Sequence, residues 1–283
     1  MDKFEKYIKN LPIIPDVASK VMAIADDNFD ISFKELEKII MVDPMLTARI
    51  LKVANSAMYS RQSEIANLQV AISLLGFKNI KSLILLITAS QFSKRLKTSE
   101  YMTNFWRHSI ATAFIAKHIM HRKKDRANEE IAFVAGLLHD IGQAALFQSD
   151  PSLYAKLLES MAEVDEAVEL TERRFYQTDH REIGASLLES WNFPYVYVDA
   201  AKEHNTLNIN SKYKKLVLTV TLADILSDYI GYGQREGSRE DLLKNVLVLT
   251  NHSEEDLEYF KSTYLDTFEE DPLFKECQRL FKK

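Results

Sequence analysis

The chain has 283 residues, of which 46% are hydrophobic, and a formal net charge of −5 at pH 7. This charge gives no overall attraction to nucleic acid, and the single cysteine, Cys277, excludes an intrachain disulfide and a cysteine-based zinc site. With only seven glycines and six prolines, the chain has few turn residues for short strands, so composition predicts an all-α protein in a reducing compartment.

The first third of the chain predicts short helices. In LPIIPDVASKVMAIA (11–25) the apolar residues recur at helical spacing. The segment DPMLTARILKVA (43–54) begins with an N-cap, Asp43, and has Pro44 at the first helical position. Gly76 is typical of a residue that separates two helices.

No segment predicts export or membrane insertion. The most apolar run, IKSLILLITA (80–89), has about half of the ~20 residues that span a bilayer, so we interpret it as a buried helix. The N-terminal MDKFEKYIKN lacks the apolar core of a signal peptide. We therefore predict a cytoplasmic protein whose partners are neither membranes nor nucleic acids.

Longer helices are predicted from Thr98 onward. The segment 99–123 is one amphipathic helix, and we predict that Asn128 caps a second helix through EEIAFVAGLLHDIGQAALF (129–147). His118 and His121, near the basic end of the first of these helices, are predicted to lie at the surface, as is His252.

The remaining helices have clear start or stop signals. Asp179 with Glu182 begins a helix that ends before Pro194, and YVYVDAAKEHN (195–205) predicts a short helix ending near His204. A further helix (212–230) ends at Gly231, and two acidic helices begin at Ser238 and Ser253.

Several ionisable residues interrupt these apolar helical segments: His108, His139, Asp140, His180, His204 and Asp224. An unpaired ionisable side chain in the core costs several kcal/mol, so we expect each to have a partner. The partner is either a metal ion or another side chain in a buried hydrogen-bonded network. Capping explains His180 equally well, and a favourable charge at a helix C-terminus explains His204.

The order of these residues resembles a known signature. His108, then His139 with Asp140, then Asp224 is similar to the ligand set of the HD phosphohydrolase superfamily. Over residues 10–230 the chain also resembles the HDOD family, the HD-related output domains of bacterial signalling proteins. The similar segments are, in order, LPIIPDVASKVM, DPMLTARILKVANSAMYS, AISLLGF, FWRHSIATA, GLLHDIG, HREIGASLLESWNFP and AAKEHN.

The resemblance implies an architecture. It predicts an HD-like helical bundle over 98–230, preceded by an HDOD-specific N-terminal helical subdomain (1–97). We expect the residues 231–283 to form a helical extension packed on the core.

The resemblance also implies a metal site. His108, His139, Asp140 and Asp224 fall on the superfamily's ligand positions. His180 and His204 fall where the two-metal HD-GYP phosphodiesterases place additional histidines, which makes them candidate ligands of a second ion. Imidazole and carboxylate ligands suit Mn, Fe, Co, Ni or Zn without selecting among them.

The phosphate-handling residues of the HD-GYP enzymes are missing. Gln143 replaces their lysine, which removes a cation that would stabilise a phosphate, and Asn205 replaces the second of their paired histidines. The GYG at 231–233 lies too late in the chain to replace their GYP motif.

Two hypotheses follow. In the first, the protein is a stand-alone regulator that acts through contacts with a signalling protein and binds a metal or a nucleotide in a degenerate cleft. In the second, it is a metal-dependent phosphohydrolase with Asp140 as the candidate catalytic residue.

Overall fold

The computed structural model describes residues 4–8, 20–21, 29–55, 65, 67–95, 99–163, 166–233, 239–271 and 274–275. Within these ranges the regular structure is helical throughout, without strands, which confirms the predicted all-α class. The chain divides into two compact units, one made of Met1–Pro12 with Leu96–Phe268 and the other of Ile13–Arg95 with Glu269–Lys283. The sequence-based boundaries near residues 97 and 230 stay predictions.

The described residues form two π-helical turns, Asp228–Tyr232 and Phe260–Tyr264, and a series of α-helices. In chain order they are α1 (Glu5–Ile8), α2 (Phe29–Met41), α3 (Pro44–Ala54), α4 (Leu68–Leu75), α5 (Phe77–Arg95), α6 (Glu100–Arg122), α7 (Glu129–Leu138), α8 (Ile141–Ser149), α9 (Pro151–Glu163), α10 (Val168–Tyr176), α11 (His180–Ser190), α12 (Tyr195–Glu203), α13 (Lys214–Ser227), α14 (Glu240–Thr250), α15 (Glu254–Tyr259) and α16 (Leu265–Glu270).

Helices α2 to α5 share an aliphatic core that includes the fully buried Leu36, Ile50 and Ile80. Asp43 caps α3 as predicted, because its Oδ1 accepts a hydrogen bond from Leu46 N at 3.1 Å. Gly76 separates α4 from α5 at φ +82°, a conformation that only glycine adopts without strain. Most of the predicted helix at 11–25 lies outside the described residues.

The other unit is built around α6, which has the predicted extent and is capped by Ser99. The prediction of one continuous helix over 129–147 is wrong, because α7 ends at Leu138 and α8 begins at Ile141. In an unbroken helix adjacent side chains point about 100° apart. The break allows His139 and Asp140 to face the same interior point.

The predicted N-terminal cap at Asn128 is wrong, whereas those at Asp179 and Ser253 are confirmed. Asn128 makes no capping bond to α7, because its side chain donates to Asp125 Oδ1 at 3.0 Å instead. Asp179 caps α11 through the backbone N–H groups of Arg181 and Glu182. Ser253 forms a capping box at α15.

The ends of the later helices also differ in part from expectation. Helix α11 ends at Ser190, before Pro194, and His204 is the C-cap of α12. The predicted stop at Gly231 falls inside the π-helical turn that continues α13, at φ +87°. The predicted start at Ser238 lies outside the described residues, and α14 is described from its N-cap, Arg239.

Two glycines allow close helix packing around the break. A Cβ atom on Gly136 would lie 2.9 Å from the Ala113 Cα, so α7 packs directly on the α6 backbone. A Cβ on Gly142 would lie 1.9 Å from the His180 carbonyl oxygen, so α8 meets the start of α11. These contacts bring the histidines of α6 and α11 towards the break.

Among the described residues, the stretch Glu129–Ser149 is long and apolar enough to cross a membrane, but 89% of its apolar window is buried within the fold. The bent pair Leu68–Leu75 with Asn79–Gln91 passes the same test only if both helices count as one span. A core helix of a globular protein has the same properties, so these stretches are weak evidence for membrane insertion.

The prediction that His118, His121 and His252 lie at the surface is correct only for His121. The ring of His118 packs 4.3 Å from the Tyr264 ring, and its Nε2 lies 3.0 Å from Tyr259 Oη. His252 is half-buried as well, with Nδ1 2.9 Å from Thr250 Oγ1. The helices that follow α14 cover the end of α6, and this contact could not be predicted from local sequence.

We predict that Gly142→Ala destabilises the protein. The added methyl group meets the backbone of α11, and overpacking of this kind lowers the free energy of unfolding by about 1–3 kcal/mol. Chemical denaturation measures the change. Alanine is otherwise better than glycine in a helix by roughly 0.5–1 kcal/mol, so a variant that is more stable than wild type would contradict the packing explanation.

We predict that His118 makes the protein less stable in mild acid. Burial, and then the charges of Arg122 and His121, lower the pKa of His118 from its ordinary 6.5 to about 4. The unfolded chain therefore binds the proton first, and stability is lost as the pH falls from about 6.5 towards 4. In His118→Gln the decrease in unfolding free energy between pH 7 and 5 should be smaller by about 1 kcal/mol, a value reduced for partial solvent screening.

Denaturant titrations at the two pH values provide this measurement. Tyr259→Phe is the matched control, because it removes the hydroxyl partner of His118 and retains the titrating ring. The control should keep the wild-type pH dependence. A pH dependence in His118→Gln that equals that of wild type would contradict the assignment.

Candidate metal centre

Four of the predicted residues converge where α6, the α7–α8 break and α13 meet. Asp224 Oδ1 lies 3.1 Å from His108 Nε2 and 3.8 Å from His139 Nε2. Asp140 Oδ2 lies 3.5 Å from His139 Nε2 and 3.9 Å from His108 Nε2. We call these four side chains the first cluster. All of them are at most 3% exposed.

The remaining two histidines lie on the other side of Asp140. Its Oδ1 is 3.3 Å from His180 Nε2 and 3.1 Å from His204 Nε2, and the two Nε2 atoms are 3.3 Å apart. We call Asp140, His180 and His204 the second cluster. Asp140 thus belongs to both clusters, with one carboxylate oxygen facing each.

All four imidazoles are oriented in the same way. Each Nδ1 lies within hydrogen-bond distance of an acceptor that points away from the Nε2 atoms. These acceptors are Ser227 Oγ for His108 (2.9 Å), Gly136 O for His139 (2.7 Å), Glu172 Oε2 for His180 (2.6 Å) and Ala201 O for His204 (2.9 Å). Donation from Nδ1 leaves Nε2 to accept a proton or a metal ion.

The Ser227 contact assigns the tautomer of His108. The Ser227 hydroxyl donates to the Asp224 carbonyl oxygen at 2.8 Å, so its oxygen accepts from His108 Nδ1. The Nε2 atom of His108 is then the nitrogen that faces the Asp224 carboxylate. The Ser227 hydroxyl therefore fixes both the orientation of the His108 ring and its tautomer.

The separations suit a transition metal. Ligand atoms at 2.0–2.2 Å from an ion lie roughly 2.8–3.6 Å apart at octahedral and tetrahedral angles. The second cluster, with separations of 3.1–3.3 Å, falls within this range. In the first cluster two separations, 3.1 and 3.5 Å, fall within it and two, 3.8 and 3.9 Å, lie slightly above it. The buried histidines and aspartates could therefore hold an ion in either cluster, and the bridging carboxylate could serve both.

Of the seven buried side-chain atoms without a hydrogen-bond partner in the described part of the chain, one belongs to the first cluster and favours a ligand there. His139 Nε2 is inaccessible to solvent and makes no hydrogen bond. A purely structural hydrogen-bonded network would leave this atom unsatisfied, at a cost of about 1–3 kcal/mol. A metal ion at the first cluster would use it.

The electrostatics of Asp140 follow from its neighbours. Burial alone would raise the pKa of its carboxyl group, but His139, His180 and His204 hold that pKa well below the ordinary value. Burial likewise lowers the pKa of His180, yet Glu172 and Asp140 outweigh it and raise the value to about 9. Asp140 is therefore ionised, as a metal ligand must be.

Gln143, at the position of the HD-GYP lysine, contacts the site directly. Its amide Nε2 donates to Asp140 Oδ2 at 2.7 Å, and its Oε1 accepts from Tyr101 Oη at 2.8 Å. The glutamine orients the bridging carboxylate and brings no charge. The neutral amide can orient a carboxylate that holds an ion, but it lacks the positive charge that would stabilise a leaving phosphate.

Sequence reasoning missed two residues at the site. Glu172, fully buried on α10, accepts from both the backbone N and the Nδ1 of His180. Arg239, at the N-cap of α14, donates from Nη1 to Asp224 Oδ2 at 2.6 Å. Both lie in polar stretches that read as solvent-exposed, and only the helix packing turns them inward.

The structure thus brings together all six predicted residues: His108, His139, Asp140, His180, His204 and Asp224. This convergence is what the metal hypothesis requires, and ion binding itself stays a prediction. The capping explanation of His180 also holds in part, since it is the first residue of α11.

Comparison with known proteins places this fold in a family. The HDOD domain model matches residues 11–207. A curated relative, an uncharacterized protein of Treponema pallidum (strain Nichols), is 24% identical over 260 residues, which are 90% of this chain and 50% of that protein. The chain therefore spans about half the length of the curated relative it matches.

Solved structures agree with this fold. An HDOD domain protein of unknown function from Geobacter sulfurreducens has a TM-score of 0.75 at 23% identity, covering 99% of this chain and 95% of its own. A candidate phosphohydrolase from Shewanella amazonensis SB2B has a TM-score of 0.72 at 22% identity, covering 98% and 97%. Identities this low show the fold alone. Because the family model matches more than half of the chain, the protein belongs to the HDOD domain family.

Proposed function

We propose that this chain is a regulatory HDOD protein that binds one or two divalent transition-metal ions in its HD cleft without turning over a phosphoester. The observation that carries the proposal is the common orientation of the four imidazoles. Each presents Nε2 to Asp140 or Asp224, and these ligands suit Mn, Fe, Co, Ni or Zn.

The chain's own residues would hold the ions in place. His108, His139 and Asp224 supply three ligand atoms within 4.8 Å of one another, and Asp140 joins them from the α7–α8 break. Glu172 orients His180, as a carboxylate does behind many metal-bound histidines. When bound, such an ion supplies Lewis-acid charge and lowers the pKa of water.

Two features favour binding over turnover. The six ligand side chains are at most 3% exposed, so the described structure gives a phosphoester little access to them. Gln143 supplies an uncharged amide where a cation would stabilise phosphate. A buried ion with these neighbours is better suited to fixing helix packing than to hydrolysis.

The signal would pass through contacts with another protein. This part of the proposal rests on the resemblance to output domains of signalling proteins and on the sequence-based expectation of a cytoplasmic location. A nucleotide is the alternative small ligand for the cleft. The protein partner would then bind differently to the protein with an occupied cleft and to the protein with an empty one.

A metal-dependent phosphohydrolase is the second candidate function. The observation that favours it is that the two carboxylate oxygens of Asp140 face different clusters. Two-ion hydrolases use such an arrangement to hold neighbouring ions. In that case Asp140 is the catalytic residue of interest, because both ions depend on it.

We predict that protein purified without chelator retains metal, and that Asp140→Asn reduces metal affinity at least about tenfold, as loss of one charged ligand should. Elemental analysis of the protein as purified measures retention, and equilibrium dialysis over a range of Mn²⁺ concentrations measures affinity. Asp125→Asn is the matched control, because this aspartate pairs with Lys215 outside the site, and it should bind as wild type does.

Absence of bound metal from folded wild-type protein under these conditions would contradict the proposal. His139→Gln then shows what the cluster does instead. A large loss of stability without any metal response would indicate a buried network that only fixes helix packing.

We predict that the wild-type protein with Mn²⁺ does not hydrolyse phosphodiesters faster than Asp140→Asn. A screen of linear and cyclic dinucleotides, with released phosphate or monoester as the readout, tests this expectation. Mn²⁺-dependent turnover that disappears in folded Asp140→Asn and persists in Asp125→Asn would support the hydrolase instead.

A further inference from the structure

The first cluster already has a positive charge against one of its ligands. Arg239 donates from Nη1 to Asp224 Oδ2 at 2.6 Å and from Nη2 to Asp224 Oδ1 at 3.3 Å. The same guanidinium contacts Asp228 and reaches Asn205 Oδ1 at 3.0 Å. The side chain is only 17% exposed, so this cation is largely held inside the protein.

Arg239 shares an atom with the proposed ion. Asp224 Oδ1, which accepts from Arg239 Nη2, is the oxygen that faces His108 Nε2 and His139 Nε2. An ion bound there would compete with the guanidinium for this oxygen. It would also be repelled by a nearby cation in a poorly solvated interior, where charges interact strongly.

A carboxylate lies beside the first cluster as well, since Asp228 Oδ1 is 3.7 Å from His108 Nδ1, but it is paired with Arg239. The second cluster has a neighbouring carboxylate without such a cation. In the part of the chain that the structure describes, no lysine or arginine lies within ion-pair distance of Asp140, His180 or His204. The nearest additional charge is the buried carboxylate of Glu172, 2.6 Å from His180 Nδ1. This carboxylate favours a cation at His180 instead of opposing it.

We propose that Arg239 is an internal cation that keeps the first cluster's affinity for divalent ions below that of the second cluster, so that the second cluster fills first. The inference rests on the metal centre of the proposed function. Arg239 would balance the charge of Asp224 and Asp228 in the ion-free protein. An ion that binds the first cluster would then have to overcome its electrostatic repulsion by the Arg239 guanidinium.

The alternative is that Arg239 merely positions Asp224 for the ion. Two observations argue against it. Asp224 lies inside α13 and is 2% exposed, so packing already restricts its rotamer. His108 provides a second contact to its Oδ1, at 3.1 Å. We therefore expect the charge of Arg239 to outweigh its orienting effect.

Equilibrium dialysis against Mn²⁺, with the bound ion measured by elemental analysis, tests the order of filling. Wild-type protein should bind two ions in steps separated by at least about tenfold in affinity, which corresponds to about 1.4 kcal/mol. In Arg239→Gln the affinity of the weaker binding step should increase at least about tenfold. His180→Ala should lose the tighter step and keep the weaker one.

Arg239→Lys is the matched control, because it retains the charge and loses the planar fork. Its weaker step should remain close to that of wild type. If Arg239 only positioned Asp224, both Arg239→Gln and Arg239→Lys would weaken Mn²⁺ binding, and this result would overturn the inference. An unchanged weaker step in Arg239→Gln would overturn it as well.

Loss of Arg239 leaves two carboxylates without a cation, and such a change can prevent folding. If Arg239→Gln is unfolded by circular dichroism, the double variant Asp228→Asn with Arg239→Gln replaces it, since it removes one charge of each sign. Its weaker step should likewise tighten. Absence of Mn²⁺ from every folded variant would overturn the metal centre itself, whereas two equal steps in wild type would overturn only the role of Arg239.

Discussion

Burial of the Asp140 carboxylate among four imidazoles is the constraint on which the rest of this structure depends. The carboxylate is 2% exposed, and an isolated ionised group at such a depth would destabilise the fold strongly. The cost is offset by imidazole nitrogens on both sides and by the amide of Gln143. Each of these groups comes from a segment that must be correctly packed, so the site and the helical core stabilise each other.

The packing that supports this arrangement is unusually close at the α7–α8 break. Gly136 and Gly142 allow α7 and α8 to approach the backbones of α6 and α11. His139 and Asp140 lie between these contacts, and the backbone oxygen of Gly136 orients His139. Backbone contacts cannot adapt as flexible side chains do, so the separations at the site are fixed by the fold itself.

The two clusters share Asp140 but differ in their surroundings. Glu172 places a negative charge behind the second cluster, whereas Arg239 places a positive charge against the first. Six candidate ligands with a cation on one side only would not form a symmetrical pair of ion sites. This asymmetry, together with the neutral Gln143, is consistent with an HD fold that senses an ion or ligand without hydrolysing a phosphoester.

The sequence by itself determined the helical class, most of the long helices and the identity of the six converging residues. Sparse glycine and proline, apolar periodicity and caps such as Asp179 are local signals, and the ordered segments from LPIIPDVASKVM to AAKEHN identified the HDOD family. Tertiary structure alone decided the helix break at Asp140 and the inward turn of Glu172 and Arg239. Their physical cause is tertiary: a polar residue turns inward only when a partner on another helix offsets its desolvation, and the pattern within one helix does not record that partner.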